Sequence, residues 1–304
     1  MNRRILAAAL SIGVVLGLAG CATAGGDKPT VVVTTNILGD IVTSISGDEI
    51  EVVTLMAPNA DPHSFELSAQ EAATMREADL VVSNGLGLEE GVQHHVDASA
   101  DDGVAQFVAG DHVESLGYAD SDADDPHFWT DPTQTVLVVE ALVPTLVEIA
   151  GGADSDGGAA IAEAADDYLA ELTELDTTMA DALGAIPEAN RALVTNHHVF
   201  GYLARRYDVR ILGAAVPGGT TLAAPSASDL QELVDAIDEA GVRTIFADSS
   251  QPDRLMQVLA DEAGRDVAVV PLLTESLAAS GEPGDTYLDM MRTNIQRITD
   301  GLTR

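Results

Sequence analysis

The chain has 304 residues and a formal net charge of −36, from 50 acidic and 14 basic side chains. This excess of negative charge makes nucleic acid an implausible partner, because a phosphate backbone would be repelled. The single cysteine excludes an internal disulfide and a metal site built from several thiolates.

The N-terminus has the pattern of an export signal. Two arginines precede an uncharged apolar run that ends in the sequence LAGC at Cys21, and this ending resembles the lipobox of bacterial lipoproteins. We therefore predict a signal peptide over residues 1–20, a lipidated Cys21 and a flexible tether over residues 21–29. Beyond the tether, no apolar stretch reaches the roughly 20 residues that would span a bilayer.

Short apolar runs alternate with helical patterns in both halves of the chain. In the first half, runs at 31–35, 51–56 and 80–83 are separated by helices near 37–46 and 68–77. In the second half, runs at 192–195, 209–212, 244–247 and 267–270 are separated by helices near 199–207, 230–240 and 252–264. Alternation of this kind predicts parallel sheets with crossover helices. We expect two α/β lobes, over residues 30–157 and 187–304.

One long helix is predicted between the lobes. Apolar residues recur every three or four positions from Ala165 to Ile186, which marks one buried face of a helix. A helix starting at Ile161 would extend about 39 Å at 1.5 Å per residue, enough to run along the whole body. We place the joining helix at residues 158–186, closed by Pro187. An ordinary crossover helix within one sheet is the alternative.

The motif Asp-Pro-His occurs twice, and a third histidine site follows. The two motifs end at His63 and His127, and the sequence TNHHVFGY contains His197 and His198. Neutral imidazole is the commonest protein ligand for late divalent ions, and the proline before each of the first two histidines stiffens the backbone. One such motif alone is usually only a turn. The pair and the third site together predict imidazoles that converge on one metal.

The candidate ligands follow predicted strands. The runs 51–56, 192–195 and 267–270 are followed by His63, His197 and Glu275, respectively. Ligands of parallel α/β sheets bind at the carboxyl ends of the strands. If the lobes face each other with these edges inward, His63 and His127 come from one lobe and His197 and Glu275 from the other. The metal then lies in the interlobe cleft.

Six stretches of the chain carry a family resemblance. They are TTNILGDIV, LMAPNADPHSFELSAQEA, ADLVVSNGLGLE, DDPHFWTDP, TNHHVFGYLARRYD and TESLAASGEPGDTYLDMMRTN. In this order and spacing, from Val31 to Leu302, they resemble the metal-binding lipoprotein subunits of ABC importers for zinc and manganese, the cluster 9 or ZnuA-like solute-binding proteins. The resemblance implies two α/β lobes, each with a small parallel sheet flanked by helices, joined by one long rigid helix.

The resemblance also implies a ligand set. It consists of His63, His127, His197 and Glu275. Many members have His-Asp before FGY, whereas this chain has His198 as the second residue, so His198 is an alternative to the favoured His197. The fourth ligand is often Asp, and Glu275 is one methylene longer. Asp248 aligns with a family carboxylate near the site. We predict that it orients a histidine, with direct metal binding as the alternative.

The chemical types of the candidate ligands favour Zn²⁺ as the metal and a metal carrier as the class of protein. Three nitrogens and one carboxylate suit tetrahedral Zn²⁺, and Mn²⁺, which prefers more oxygen ligands, is the alternative. Family members that lean toward manganese replace the third histidine with a carboxylate. A zinc-dependent hydrolase is the rival from another class. However, Glu275 would close the site, and the chain lacks HExxH, GxSxG and a Walker A loop. We therefore expect no enzyme. A surface adhesin is a third, secondary interpretation.

The resemblance implies partners and a location as well. The partners are the permease and the ATPase of an ABC importer, and the protein is expected as a monomer, lipid-anchored on the outer face of the bacterial cytoplasmic membrane. The acidic run at 120–125 is either a loose collector of cations or a solvated loop. His94 and His95 are expected on a solvated face and His112 in a loop, while Trp129 is expected to pack in the core.

Overall fold

A computed structural model describes residues 28–118, 123–264 and 266–304. The predicted signal peptide, the lipidation site at Cys21 and most of the tether lie outside the described residues. Residues 120–122 of the acidic run also lie outside them.

The N-terminal lobe is built on one parallel sheet. Its elements are β1 (Thr30–Val33), α1 (Asn36–Ser46), β2 (Glu51–Thr54), α2 (Ala69–Arg76), β3 (Leu80–Ser83), α3 (Gln93–Asp101), β4 (Ala105–Val108) and α4 (Pro132–Ile149). The strand order is β2-β1-β3-β4. The central strands β1 and β3 are runs of valine and leucine, almost entirely buried, because helices cover both faces of a parallel sheet.

The C-terminal lobe repeats this strand order, but its strands form two separate two-stranded sheets. Its elements are β5 (Ala192–Thr195), α6 (Gly201–Tyr207), β6 (Arg210–Ala214), α7 (Ala227–Ala240), β7 (Thr244–Asp248), α8 (Arg254–Glu262), β8 (Ala268–Leu272) and α9 (Tyr287–Leu302). β5 pairs with β6 and β7 pairs with β8, in parallel. β5 lies beside β7, but no ladder joins them in the described part of the chain. Instead, the backbone N–H of Asp248 donates to the side chain of Asn196 at 2.6 Å.

The long helix α5 (Asp156–Gly184) connects the lobes. Its 29 residues extend about 44 Å. It packs against α1 and α4 on one side and against α6 and α9 on the other, so it spans both lobes. The predicted bounds of 158–186 are two residues late at each end. Pro187 disfavours a helical conformation at Ile186, and the helix therefore ends before that residue.

Four helices and strands were not predicted: α3, β4, α4 and α9. The helix α4 is apolar on most of its surface, so its sequence lacks a clear alternation of apolar and polar faces. By length and composition this 18-residue helix could cross a membrane. In the structure it packs along α5 and buries one face there, as the core helix of a folded lobe does.

Candidate metal centre

Four buried side chains meet between the lobes. His63, His127, His197 and Glu275 each offer one ligand atom, and these atoms lie within 4.8 Å of one another. His63 follows β2, His197 follows β5 and Glu275 follows β8. The carboxyl ends of strands from both lobes therefore face the same cleft, where ligands of parallel sheets bind.

The ligand atoms point at a common centre. Nε2 of His127 lies 3.4 Å from Nε2 of His63 and 3.3 Å from Oε1 of Glu275. Nε2 of His197 lies 2.8 Å from the same oxygen. Zinc bonds of about 2.0 Å in a tetrahedron place neighbouring ligand atoms about 3.3 Å apart. The two separations from His127 are close to this value, while Nε2 of His63 and Oε2 of Glu275 lie 4.0 Å apart.

The first Asp-Pro-His turn positions His63 through its backbone. Oδ1 of Asp61 accepts a hydrogen bond from the N–H of His63 at 3.0 Å, which is the local turn that aspartate favours. Oδ2 accepts from the hydroxyl of Ser64 at 3.0 Å. Nδ1 of the His63 ring has no hydrogen-bond partner among the described residues. The backbone of this ligand is thus fixed, whereas the nearest carboxylate to its ring Nδ1 is that of Glu90, with Oε1 at 3.9 Å.

The second turn positions His127 through both its backbone and its ring. Oδ1 of Asp125 accepts from the N–H of His127 at 3.0 Å and faces the ring Nδ1 at 2.7 Å. The hydroxyl of Tyr118 donates to the same oxygen at 3.1 Å. A carboxylate on Nδ1 keeps the proton there and leaves the lone pair of Nε2 free for a metal. Sequence reasoning missed this role of Asp125, although the repeated motif contains the residue.

Asp125 also has a close neighbour in the C-terminal lobe. A Cβ atom added at Gly201 would lie 2.5 Å from Oδ2 of Asp125. Glycine at the start of α6 therefore allows the helix to approach the carboxylate that orients His127.

Asp248 and His198 lie outside the group of four. The carboxylate of Asp248 accepts from the N–H and the hydroxyl of Ser250, each at 2.8 Å. Nδ1 of His197 has no hydrogen-bond partner among the described residues, so the orienting role of Asp248 stays a prediction. His198 is half-buried, and its ring centroid is 6.5 Å from that of Tyr118.

Burial controls protonation in the centre. Loss of hydration raises the pKa of Glu275 to about 8 and lowers the pKa of His63 to about 2. It also lowers the pKa of His197, against the opposing charge of Asp248. In the absence of metal at neutral pH, the imidazoles of His63 and His197 are neutral and Glu275 keeps its proton. A metal ion must displace that proton to bind the carboxylate.

Trp129, His94 and His112 lie where the sequence predicts, whereas His95 is more buried than the solvated face expected for it. Trp129 is buried and its indole N–H donates to the carbonyl oxygen of Thr274 at 2.9 Å, which ties the His127 turn to the segment carrying Glu275. His94 is exposed on α3, and its ring centroid lies 3.9 Å from that of the half-buried His95, with the two rings tilted by 40°. His112 is exposed at the end of a short 3₁₀ turn and stacks on Phe107.

Comparison with known proteins agrees with this architecture. The model of a family described as "Zinc-uptake complex component A periplasmic" matches residues 31–301. The manganese-binding lipoprotein MntA of Halalkalibacterium halodurans is 27% identical, over 92% of this chain and 90% of its own length. The zinc-binding protein TroA of Treponema pallidum is 28% identical over 100% of both chains. The solved structure of the periplasmic zinc-binding protein TroA from Treponema pallidum has a TM-score of 0.85 at 27% identity, and covers 91% of this chain and 100% of that chain.

Proposed function

We propose a function for this chain on the premise that it belongs to the family of the zinc-uptake complex component A. It is a metal-binding, substrate-binding protein of an ABC importer and not an enzyme. Proteins of this kind work with a membrane permease and an ATPase. The cargo that we propose is Zn²⁺, bound by His63, His127, His197 and Glu275 and then delivered to the permease.

The observation that carries the proposal is the convergence of three imidazole nitrogens and one carboxylate in a buried cleft. Their ligand atoms lie within 4.8 Å of one another, and three nitrogens with one oxygen suit tetrahedral zinc. Mn²⁺ prefers more oxygen ligands and a higher coordination number. Relatives are named for manganese and for zinc alike, so the choice of zinc depends on the donor set of this chain.

The proposal includes a location. Several relatives are named as lipoproteins, and LAGC at Cys21 is the matching motif here. We propose that lipidated Cys21 holds a monomer on the outer face of the cytoplasmic membrane, with residues 21–29 as tether. The folded body then comprises lobes over residues 30–157 and 187–304.

Metal analysis of the full chain, purified without added metal, tests the cargo. We expect one zinc ion per protein, and a competition titration in which Zn²⁺ displaces Mn²⁺. Zinc intrinsically binds nitrogen and oxygen sites more tightly than manganese does. Retention of manganese against equimolar free zinc would therefore contradict the proposal strongly.

Substitution of the ligands tests the site. His63→Ala, His127→Ala, His197→Ala and Glu275→Ala should each lower zinc affinity by more than about 100-fold, beyond the loss that follows removal of an outer hydrogen-bond partner. His112→Ala is the matched control, because His112 is exposed and stacks on Phe107 outside the group of four ligands. The zinc affinity of this variant should equal that of the wild type. Equal losses in the control and the ligand variants would refute the assignment.

A further inference from the structure

The His127 turn is anchored in the core of the C-terminal lobe. The hydroxyl of Tyr202 donates to the carbonyl oxygen of Asp125 at 2.9 Å. The indole of Trp129 donates to Thr274, and the hydroxyl of Tyr287 donates to the carbonyl oxygen of Trp129 at 2.7 Å. All three aromatic side chains are buried. The side-chain amide of Asn84, a buried residue of the N-terminal lobe, also donates to the carbonyl oxygen of Pro126 at 3.1 Å. Because water cannot replace these buried partners without opening the core, the turn is held in place between the lobes.

The His63 turn itself meets the C-terminal lobe through side chains of surface loops, while four residues earlier the backbone N–H of Asn59 donates to the carbonyl oxygen of Leu277 at 3.0 Å. Oδ2 of Asp61 accepts from the hydroxyl of Thr221 at 2.6 Å and from the amide of Gln251 at 2.8 Å. Both donors are half-buried. Nearby, the hydroxyl of Thr220 donates to exposed Glu90 at 2.9 Å. Water can replace donors at such positions, so these contacts can break without disturbing the core.

Asp61 couples these loop contacts to a metal ligand. Its Oδ2 atom binds Thr221 and Gln251 of the opposite lobe, while its Oδ1 atom accepts the backbone N–H of His63 at 3.0 Å. A shift of this carboxylate away from the C-terminal lobe would therefore carry the backbone of His63 with it. The side chain of Asp61 is itself buried, and it leaves this position only when the lobes separate locally.

We propose that Asp61, Thr221 and Gln251 form a clasp that closes the metal site on the side of His63. Opening of this clasp, while the His127 turn stays in place, sets the rate at which the metal leaves. Asp61 acts here as a positioning residue, through His63. This inference rests on the proposed function, since it concerns release of zinc from the same four ligands.

Zinc release from the full chain tests the clasp. The zinc-loaded protein is mixed with excess chelator in a stopped-flow instrument, and the dissociation rate is recorded. Thr221→Val removes the hydroxyl at nearly constant volume and leaves every ligand in place. We expect dissociation about tenfold faster, the effect of one hydrogen bond to a carboxylate, with the association rate nearly unchanged. Thr221→Ser restores the hydroxyl and should restore the slow release.

Thr177→Val is the matched control. The exposed hydroxyl of Thr177 donates to the carbonyl oxygen of Thr173, within α5, so the control should release zinc at the wild-type rate. A further variant, Gln251→Glu, places a second carboxylate beside Asp61. It should speed release more at low salt than at high salt, because salt screens the repulsion. A purely structural role of Gln251 would not give this salt dependence.

The outcomes separate the two proposals. If the wild type binds zinc and Thr221→Val releases it at the wild-type rate, the clasp is overturned and the proposed function stands. Release that is fast in both Thr221→Val and Thr221→Ser would also overturn the clasp, because the hydroxyl would then be irrelevant. A wild-type protein that binds no zinc would overturn the proposed function, and the clasp with it.

Discussion

The two Asp-Pro-His turns have the same sequence and the same local hydrogen bond, yet they contribute differently to the metal centre. In both, an aspartate Oδ1 atom accepts the N–H of the histidine at 3.0 Å. Asp125 also binds the imidazole of its own histidine, whereas Asp61 uses its other oxygen to reach Thr221 and Gln251 in the opposite lobe. The tripeptide therefore determines the turn, and the surrounding fold determines what the carboxylate does.

Removal of each aspartate should show the difference between the two turns most clearly. Asp125→Ala should lower zinc affinity by about 10- to 100-fold, the usual cost of losing the carboxylate that orients a ligating histidine. Asp61→Ala should lower it less and mainly through faster release, since the ring of His63 has no hydrogen bond from Asp61. Competition titration with a chelator measures both affinities. A larger loss in Asp61→Ala would show that the turns have the opposite roles.

A pH titration tests Glu275, the ligand that belongs to neither turn. Burial raises the pKa of Glu275 to about 8, so the metal-free carboxyl is protonated below that pH and zinc must expel one proton. Apparent zinc affinity should therefore rise about tenfold per unit between pH 6 and pH 8, and level off above. Burial lowers the pKa of His63 and of His197, so these rings add no further proton in this range.

Calorimetry in two buffers of different ionisation enthalpy measures the protons released. Glu275→Gln is the informative control, because the amide cannot release a proton, and its weaker binding should be nearly independent of pH over this range. A wild-type affinity that is flat from pH 6 to pH 8 would contradict the assignment of the proton to Glu275.

A substitution that crowds the carboxylate of Asp125 without removing it should change zinc affinity least. Gly201→Ala would place a Cβ atom 2.5 Å from Oδ2 of Asp125 and push the carboxylate from the ring of His127. We expect zinc affinity to fall by less than about tenfold, as for a modest steric shift of 1 kcal/mol or so. Gly184→Ala is the matched control, since a Cβ atom there meets nothing within 4 Å. Equal affinities in the two variants would indicate that Asp125 adjusts freely.

Much of the fold follows from local sequence patterns. The strands β3 and β5 were predicted to the residue, because each is a short buried run next to a turn. The joining helix was predicted from its apolar repeat, with an error of two residues at each end. α4 was missed because its apolar surface gives no clear periodicity. The gap between β5 and β7 depends on strand-to-strand distance, which no local pattern records.

The candidate site was likewise predictable only in part from the sequence. The four ligand positions follow from strand ends, the repeated motif and the family resemblance, and they remain a prediction until metal binding is measured. The partner of each histidine could not be inferred. Asp61 and Asp125 occupy the same place in identical tripeptides, and only the folded chain distinguishes them by placing Tyr118 and the imidazole near one and Thr221 near the other.

The acidity of the chain has a consequence for recognition by the transporter. A divalent ion adds at most two positive charges to a chain with a formal net charge of −36. Long-range attraction or repulsion, which depends on the summed charge, is thus almost the same for the empty and the filled carrier. A permease that distinguishes them must therefore do so at close range.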